Sequence, residues 1–97
     1  MFSARVIVHN DTKMLNICDS NLLGKTLIRD KLTLKINESY YGQKTVEKDE
    51  AERLLRNCNN INMVGKEIIA LSTSLGIGSQ KGAKEIDGIP FLLVFKL

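Results

Sequence analysis

A β-hairpin is predicted for residues 2–18, which read FSARVIVHNDTKMLNIC. Residues 2–9 alternate in hydropathy and are rich in β-branched side chains, as is typical of a strand. Residues 10–12, Asn-Asp-Thr, have the composition of a tight turn, and the apolar pattern resumes in residues 13–18. This segment therefore predicts the first two strands of a sheet.

Two more strands are predicted further along the chain. Residues 31–36, KLTLKI, alternate strictly, which predicts an amphipathic strand with its even-numbered residues toward the core and its odd-numbered residues toward solvent. Residues 91–97 are apolar at nearly every position and follow the turn signal Asp87-Gly88. Such an apolar run favours a strand in the middle of the sheet, covered on both faces.

Helical structure is predicted in three places. Residues 22–28 follow three candidate N-caps and would form one or two helical turns. Residues 45–57, with Thr45 as the N-cap, carry an apolar stripe at helical spacing. A second main helix runs from Gly65 or Lys66 to Leu75.

The composition fits one ordinary globular domain. The chain has 97 residues, of which 43% are hydrophobic and 26% are charged, and this balance excludes disordered and collagen-like chains. The pattern as a whole predicts an α+β fold over residues 1–97: a mixed, mostly antiparallel sheet of five or six strands with two main helices. No apolar run is long enough for a membrane helix and no secretory signal is recognised, so we expect a cytoplasmic protein without a membrane partner.

The residues that usually carry catalysis or bind metal are scarce. His9 is the single histidine, and Cys18 and Cys58 are 40 residues apart, so a closed zinc site is not expected. The two cysteines are predicted to be free, buried thiols. No residue stands out as catalytic, and we expect no metal, no cofactor and no enzymatic activity. The aromatic residues Phe2, Phe91 and Phe95 are assigned to the core.

The net charge of +3 is unevenly distributed along the chain. The first 36 residues hold six basic and three acidic residues, an excess that equals that of the whole chain. This asymmetry predicts one basic side, which would suit a polyanionic partner. Taken one at a time, the same lysines are also explained as residues that keep a surface soluble.

Two segments of the chain resemble each other at an offset of 41 residues, residues 21–28 (NLLGKTLI) and 62–69 (NMVGKEII). If each Gly-Lys pair begins a helical turn, its free N–H groups beside a lysine would form an anion site. The asparagine of each segment would cap that turn or bind a nucleic-acid backbone. The alternative is that asparagine caps, glycine permits close packing and lysine lies in water.

A nucleotide-binding P-loop is rejected for the first of these segments. Gly24-Lys25-Thr26 matches the end of that motif, but its first glycine would have to be residue 19, which is Asp19. Nearby, Tyr40 and Tyr41 precede a glycine in a polar stretch. One of them could be exposed and stack on a base; alternatively, one is buried and the other holds the loop through its hydroxyl.

The order of four short motifs resembles a small archaeal family, domain of unknown function 424, over essentially the whole chain. The motifs are residues 22–26 (LLGKT), 41–42 (YG), 62–65 (NMVG) and 88–90 (GIP). The resemblance implies an archaeal cytosolic protein, and the family has been suggested to bind RNA and to be linked to translation. The family has no catalytic residue to transfer. It often has histidine after the Gly-x-Pro, where this chain has Phe91.

The resulting hypothesis is an RNA-binding accessory protein associated with the ribosome or with translation. It would bind phosphates through a basic face and the two Asn-x-x-Gly-Lys turns, as a free monomer or as part of a larger assembly. Its partners would be RNA, including ribosomal RNA, or ribosomal proteins, with no DNA specificity evident. The candidate RNA-binding residues are Asn21, Gly24, Lys25, Lys31, Lys35, Tyr41, Asn62, Gly65, Lys66, Lys81 and Lys84.

Two alternatives stay open. The first is a protein-interaction module of a larger translation complex, which would bind through Ile77, Tyr41 or the acidic helix 45–57. The second is a small enzyme that acts on a phosphorylated metabolite held at one Gly-Lys turn.

Overall fold

The chain folds around a six-stranded sheet, and the computed structural model describes residues 1–96. The strands are β1 (Phe2–His9), β2 (Thr12–Asp19), β3 (Thr26–Arg29), β4 (Leu32–Lys35), β5 (Lys44–Val46), β6 (Asn60–Val64), β7 (Lys84–Ile86) and β8 (Ile89–Phe95). The helices are α1 (Glu38–Tyr41), α2 (Lys48–Asn57) and α3 (Lys66–Ser74), and short 3-10 turns cover Ser20–Leu22 and Gln80–Gly82.

The main sheet has the order β5-β1-β2-β6-β8-β7, while β3 and β4 form a separate two-stranded ribbon. Every strand pair is antiparallel except β2 with β6. The predicted α+β class, with a mixed, mostly antiparallel sheet and two main helices, is thus confirmed. The predicted β1–β2 hairpin is also confirmed: Asn10 and Asp11 have φ of 49° and 66°, the positive values that a tight two-residue turn requires.

One face of the sheet is covered by α2 and α3. Their apolar stripes pack on the side chains of β2 and β6 that point to this side, and together they form the larger of two cores. The most deeply buried members are Ala4, Leu15, Ile17, Ala51, Leu55, Cys58, Ile61, Met63, Ile68 and Ile69. The end of α2 is further held by Lys96, whose Nζ donates to the carbonyl oxygen of Arg56 at 3.0 Å.

The opposite face is covered only at one end, by the β3–β4 ribbon and α1. The ribbon hairpin places Leu27 opposite Leu34, and both side chains contribute to a second core beneath it. This core also contains Cys18, Tyr41 and Val64. The strands β2 and β6 therefore contribute to both cores, one on each side of the sheet.

The other end of this face is open to solvent, and we call it the open face. Cross-strand register places its side chains in two rows across β1, β2, β6 and β8. The rows are Arg5-Asn16-Asn62-Leu93 and Ile7-Met14-Asn60-Phe95.

The prediction for β8 is correct in its position and wrong in its environment. The strand lies inside the sheet between β6 and β7, as expected. It is not covered on both faces, however, since Leu93 and Phe95 are 61% and 68% exposed. The assignment of Phe95 to the core is therefore wrong, because the ribbon ends before it reaches this part of β8. Phe2 is buried and Phe91 is half-buried.

Three local predictions are also corrected. Residues 22–28 do not form helical turns: after a 3-10 turn they enter β3. Thr45 does not cap α2, since it lies in β5 and the N-cap is Glu47. Leu32 is 54% exposed, because β4 belongs to the ribbon and its tip extends beyond the core. Within residues 1–96, no helix is long and apolar enough to span a membrane.

Candidate functional site

The two Gly-Lys turns lie together in space. They border one cleft of about 360 Å³, although they are 41 residues apart in sequence. Its lining includes Asn21 and Lys25 from the first turn, Lys66 from the second, and the acidic residues Asp19 and Glu67. Of the six predicted site residues in the two segments, Asn21, Lys25 and Lys66 border this cleft.

The N-terminus of α3 is already occupied by a carboxylate of the chain itself. Asp19 Oδ2 accepts a hydrogen bond from the backbone N–H of Glu67 at 3.0 Å, and Oδ1 accepts one from that of Ile68 at 2.8 Å. These are the N–H groups that an anion at this helix end would have used. Gly65 donates its own N–H to the carbonyl of Pro90 at 2.9 Å.

The first turn has no free amide pair either. The N–H of Gly24 donates to the carbonyl of Ile36 at 2.7 Å, and that of Lys25 to the carbonyl of Leu22 at 3.0 Å. This turn also does not begin a helix, because it leads into β3. The expectation that the backbone amides of both turns are open to an anion is therefore wrong. What the two turns offer at the cleft is the side-chain ammonium groups of Lys25 and Lys66.

The burial of Asp19 perturbs its titration. Burial raises the pKa of this carboxyl above 3.8, whereas the hydrogen bonds from Glu67 and Ile68 act in the opposite direction. The negative charge of Glu67 raises the pKa further, and the N-terminal ammonium group lowers it. The net direction is upward. Asp19 thus fits a structural role as the cap of α3.

Four lysines line one side of the molecule along β7, and we call them the lysine band: Lys25, Lys31, Lys66 and Lys84. Lys31 and Lys84 border a hollow of about 420 Å³ at the ribbon tip, while Lys25 and Lys66 border the cleft at the far end of β7, beside Gly88. The ribbon is held against β7 by Arg29, whose Nη1 donates to the carbonyl of Glu85 at 3.0 Å. All four lysines are exposed.

The remaining predicted lysines flank this band. Lys35 lies at the base of the ribbon, paired with Thr26, which directly follows Lys25. Lys81 lies in the 3-10 turn before β7. Lys31 is in the ribbon turn, so Lys31 and Lys35 mark the two ends of β4. The predicted lysines thus come from four segments of the chain, and the acidic residues Asp30 and Glu67 line the same two hollows.

Tyr41 and Asn62 lie in a different place, a groove of about 520 Å³ between the ribbon and the open face. Asn62 Nδ2 donates to the hydroxyl of Tyr41 at 3.0 Å. Tyr41 is 8% exposed and its ring is part of the second core, so it has no free face for a base. Burial also raises the pKa of its hydroxyl. The exposed tyrosine is Tyr40, at 57%.

The groove is mostly apolar with a few polar groups at its rim. Leu34, Phe91 and Leu93 form its walls, and Lys84 reaches it from β7. Lys84 also borders the hollow at the ribbon tip, so the groove and the lysine band share this side chain. Beyond Leu93 the groove opens onto the open face.

Sequence reasoning missed the open face. A signal was present, since residues 60–63 alternate Asn-Ile-Asn-Met and β8 contains Leu93 and Phe95 at strand spacing. In residues 1–96, no three His, Cys, Asp or Glu side chains come together in a way that would hold a metal ion.

Comparison with known proteins places this chain in a family. The model of the family described as protein of unknown function (DUF424) matches residues 7–97, and the chain belongs to that family. Among solved structures, the chain is similar to an uncharacterized conserved protein from Methanopyrus kandleri. The TM-score is 0.81 at 23% identity, over 99% of this chain and 93% of that one, so the two proteins share a fold. No curated protein matches the chain.

Proposed function

We propose that this protein is an RNA-binding accessory protein whose lysine band holds the phosphates of the RNA backbone. One observation carries the proposal: two turns distant in sequence present Lys25 and Lys66 at one cleft, and β7 links that cleft to Lys31 and Lys84. Because their backbone amides are hydrogen-bonded within the protein, the two turns would bind phosphate through the charges of Lys25 and Lys66. Lysine side chains bind phosphates as point charges and carry no base specificity.

The dimensions of the lysine band suit a nucleic-acid strand better than a single phosphate. From Lys84 to Ile86 the chain is extended over two residue steps, about 7 Å, and the Asp87-Gly88 turn then leads to the cleft. Ammonium groups on both sides of such a span would contact more than one phosphate. Each contact releases condensed counterions, so the affinity should fall steeply with salt.

The test replaces the two lysines at the ribbon tip, Lys31→Glu with Lys84→Glu. Binding of a fluorescent single-stranded RNA is measured by anisotropy at several salt concentrations. We expect weaker binding at low salt, and a plot of log affinity against log salt that is shallower by about 1.4, since each phosphate contact contributes about 0.7 for single strands.

The matched control is Lys48→Glu with Arg53→Glu, which makes the same charge change on α2 at the opposite face. Circular dichroism and a urea titration show that both variants are folded. Equal effects of the two double variants would mean that only net charge matters and would overturn the lysine band. Unchanged binding in the K31E/K84E variant would overturn it as well.

The proposed association with the ribosome is tested by a separate experiment. The tagged protein is recovered at two salt concentrations, and the bound nucleic acid is sequenced. Recovery of ribosomal RNA fragments at low salt, and their loss at high salt, is the expected outcome. Recovery of no RNA at either concentration would contradict it.

A protein-interaction module is a second candidate, favoured by exposed apolar residues on the ribbon. Ile28 and Leu32 are 60% and 54% exposed near its tip. Two of the contact residues expected from the sequence are unsuitable, because Tyr41 is buried and Ile77 packs against the larger core. Co-sedimentation with ribosomes that survives nuclease and high salt would favour this candidate over direct RNA binding.

A further inference from the structure

We infer that the open face is a platform for the unpaired bases of single-stranded RNA, on which Phe95 stacks a base and the asparagine amides bind base edges. This inference rests on the proposed function and names the form of RNA that it requires. The lysine band would hold the backbone of the strand, while the groove containing Tyr41 and Asn62 leads from Lys84 to the platform.

The exposure of the aromatic and aliphatic side chains is the first observation. Phe95 and Leu93 are 68% and 61% exposed, and Met14, in the same row as Phe95, is 39% exposed. Leu93 and Phe95 lie on β8 and Met14 lies on β2, and together with Asn60 of the intervening strand β6 they border one hollow. Stacking of bases on aromatic side chains contributes substantially to affinity for single strands and tolerates any sequence, since every base has a π-face.

The polar groups of the open face are the second observation. Asn16, Asn60 and Asn62 occupy β2 and β6 at its centre, each half-buried. A side-chain amide both donates and accepts hydrogen bonds, as the edges of unpaired bases do. Asn62 is oriented by its bond to Tyr41, so its amide is fixed before any ligand arrives.

The charge and size of the open face are the third observation. Its two rows contain no acidic residue, and Arg5 lies at one end while Lys84 borders the groove beyond Leu93. Four strands spaced by about 4.8 Å give a width of roughly 14 Å, with about 7 Å between the rows. Four-stranded sheets of known RNA-binding domains stack two or three bases on a comparable surface. The combination of apolar surface, amides and positive charge matches single-stranded RNA.

The test uses Phe95 in two substitutions. For Phe95→Ala we expect a loss of affinity for a single-stranded decamer of about five- to a hundredfold, with the same salt slope and the same affinity for a duplex of that sequence. Phe95→Trp gives a unique fluorophore, since the chain contains no tryptophan. Its emission should be quenched when the decamer binds.

The control variant is Ile28→Ala, which removes an apolar side chain of similar exposure from the ribbon, outside the open face. It should bind the decamer like the wild type. If F95A also binds like the wild type while K31E/K84E does not, the platform is wrong and the proposed function stands. If the wild type binds no RNA, both are overturned. If F95A abolishes capture of a protein and leaves RNA affinity unchanged, the platform serves a protein partner and the inference is wrong.

Discussion

Gly65 leaves space for the Asp19 carboxylate, which caps α3. Its φ is 120°, and a Cβ at this position would lie 2.3 Å from Asp19 Oδ2. Gly24 also has a positive φ, 87°, but a Cβ there would meet no atom within 4 Å. The two glycines of the repeated segments therefore have different roles: one makes room for Asp19 and the other only permits a backbone conformation.

The pair Gly65→Ala and Gly24→Ala tests this difference. We expect Gly24→Ala to lower the free energy of unfolding by about 1 kcal/mol, the usual cost of a side chain at positive φ. Gly65→Ala should lower it by about 3 kcal/mol, because it adds displacement of the Asp19 cap to that strain. Urea denaturation measures both. Equal losses would show that the clash with Asp19 is relieved without cost.

Some features of the two Gly-Lys segments could be predicted from the sequence, and others could not. The Asn-x-x-Gly-Lys similarity identified two segments that meet at one cleft, but their structures differ: Gly24-Lys25 leads into β3, whereas Gly65-Lys66 begins α3. It could not show that the amides of α3 are taken, since the group that takes them is Asp19, 48 residues from Glu67. In the same way, Phe95 is exposed because of where the ribbon ends, which no local pattern records.

Among the strands and helices, β6 is the element whose absence from the sequence prediction matters most for the proposed site. Asn59-Asn60 indicates a break, and asparagine is depleted in strands, so residues 60–64 were not predicted as a strand. The alternation was nevertheless present: Ile61 and Met63 face the larger core, while Asn60 and Asn62 face the open side. The unusual polar residues of a central strand thus coincide with the proposed base platform.

The ribbon was predicted only in part. Its second strand follows the strict alternation of residues 31–36, whereas its first strand lies in the short apolar run 22–28, which periodicity alone cannot assign to helix or strand. The sequence also could not show that the ribbon leaves the main sheet to cover its second face. That placement depends on contacts with Phe91, which is distant in sequence, as well as with the nearby Tyr41.

The attachment of the ribbon can be measured with Ile36→Ala and Leu32→Ala. Ile36 is 1% exposed in the second core, so truncation should leave a cavity and lower the free energy of unfolding by about 2–4 kcal/mol. Leu32 is 54% exposed, and its truncation should cost less than about 1 kcal/mol. Denaturant titration of both variants is the measurement. A small effect of I36A would mean that the ribbon contributes little to global stability.

On the scale of the whole molecule, each of the two cores contains one cysteine. Cys58 lies in the core beneath the helices and Cys18 in the core beneath the ribbon. Burial, with the charge of Asp19 acting in the same direction, raises the pKa of Cys18 to about 12. Burial also raises the pKa of Cys58. The expected pair of free, buried thiols is confirmed.

The two thiols therefore report on whether both cores unfold together. Burial shields the Cys18 thiol, and its raised pKa suppresses the reactive thiolate at pH 8, so alkylation in the native state should be very slow. We expect both cysteines to react at the same urea concentration, because β2 and β6 contribute to both cores. Mass spectrometry after pulse alkylation assigns each site. Earlier reaction of Cys18 would show that the ribbon side opens independently.

The strand order has a consequence for how the protein is made. From one edge to the other, the sheet contains β5, β1 and β2, all within residues 2–46, and then β6, β8 and β7, all within residues 60–95. A chain emerging from its N-terminus can thus complete half of the sheet before the other half exists. Until Asn60–Val64 arrives, β2 presents an unpaired edge, and such edges invite association with other chains. Because β6 follows α2 directly in the chain, the strand that pairs with β2 is synthesised as soon as that helix is complete.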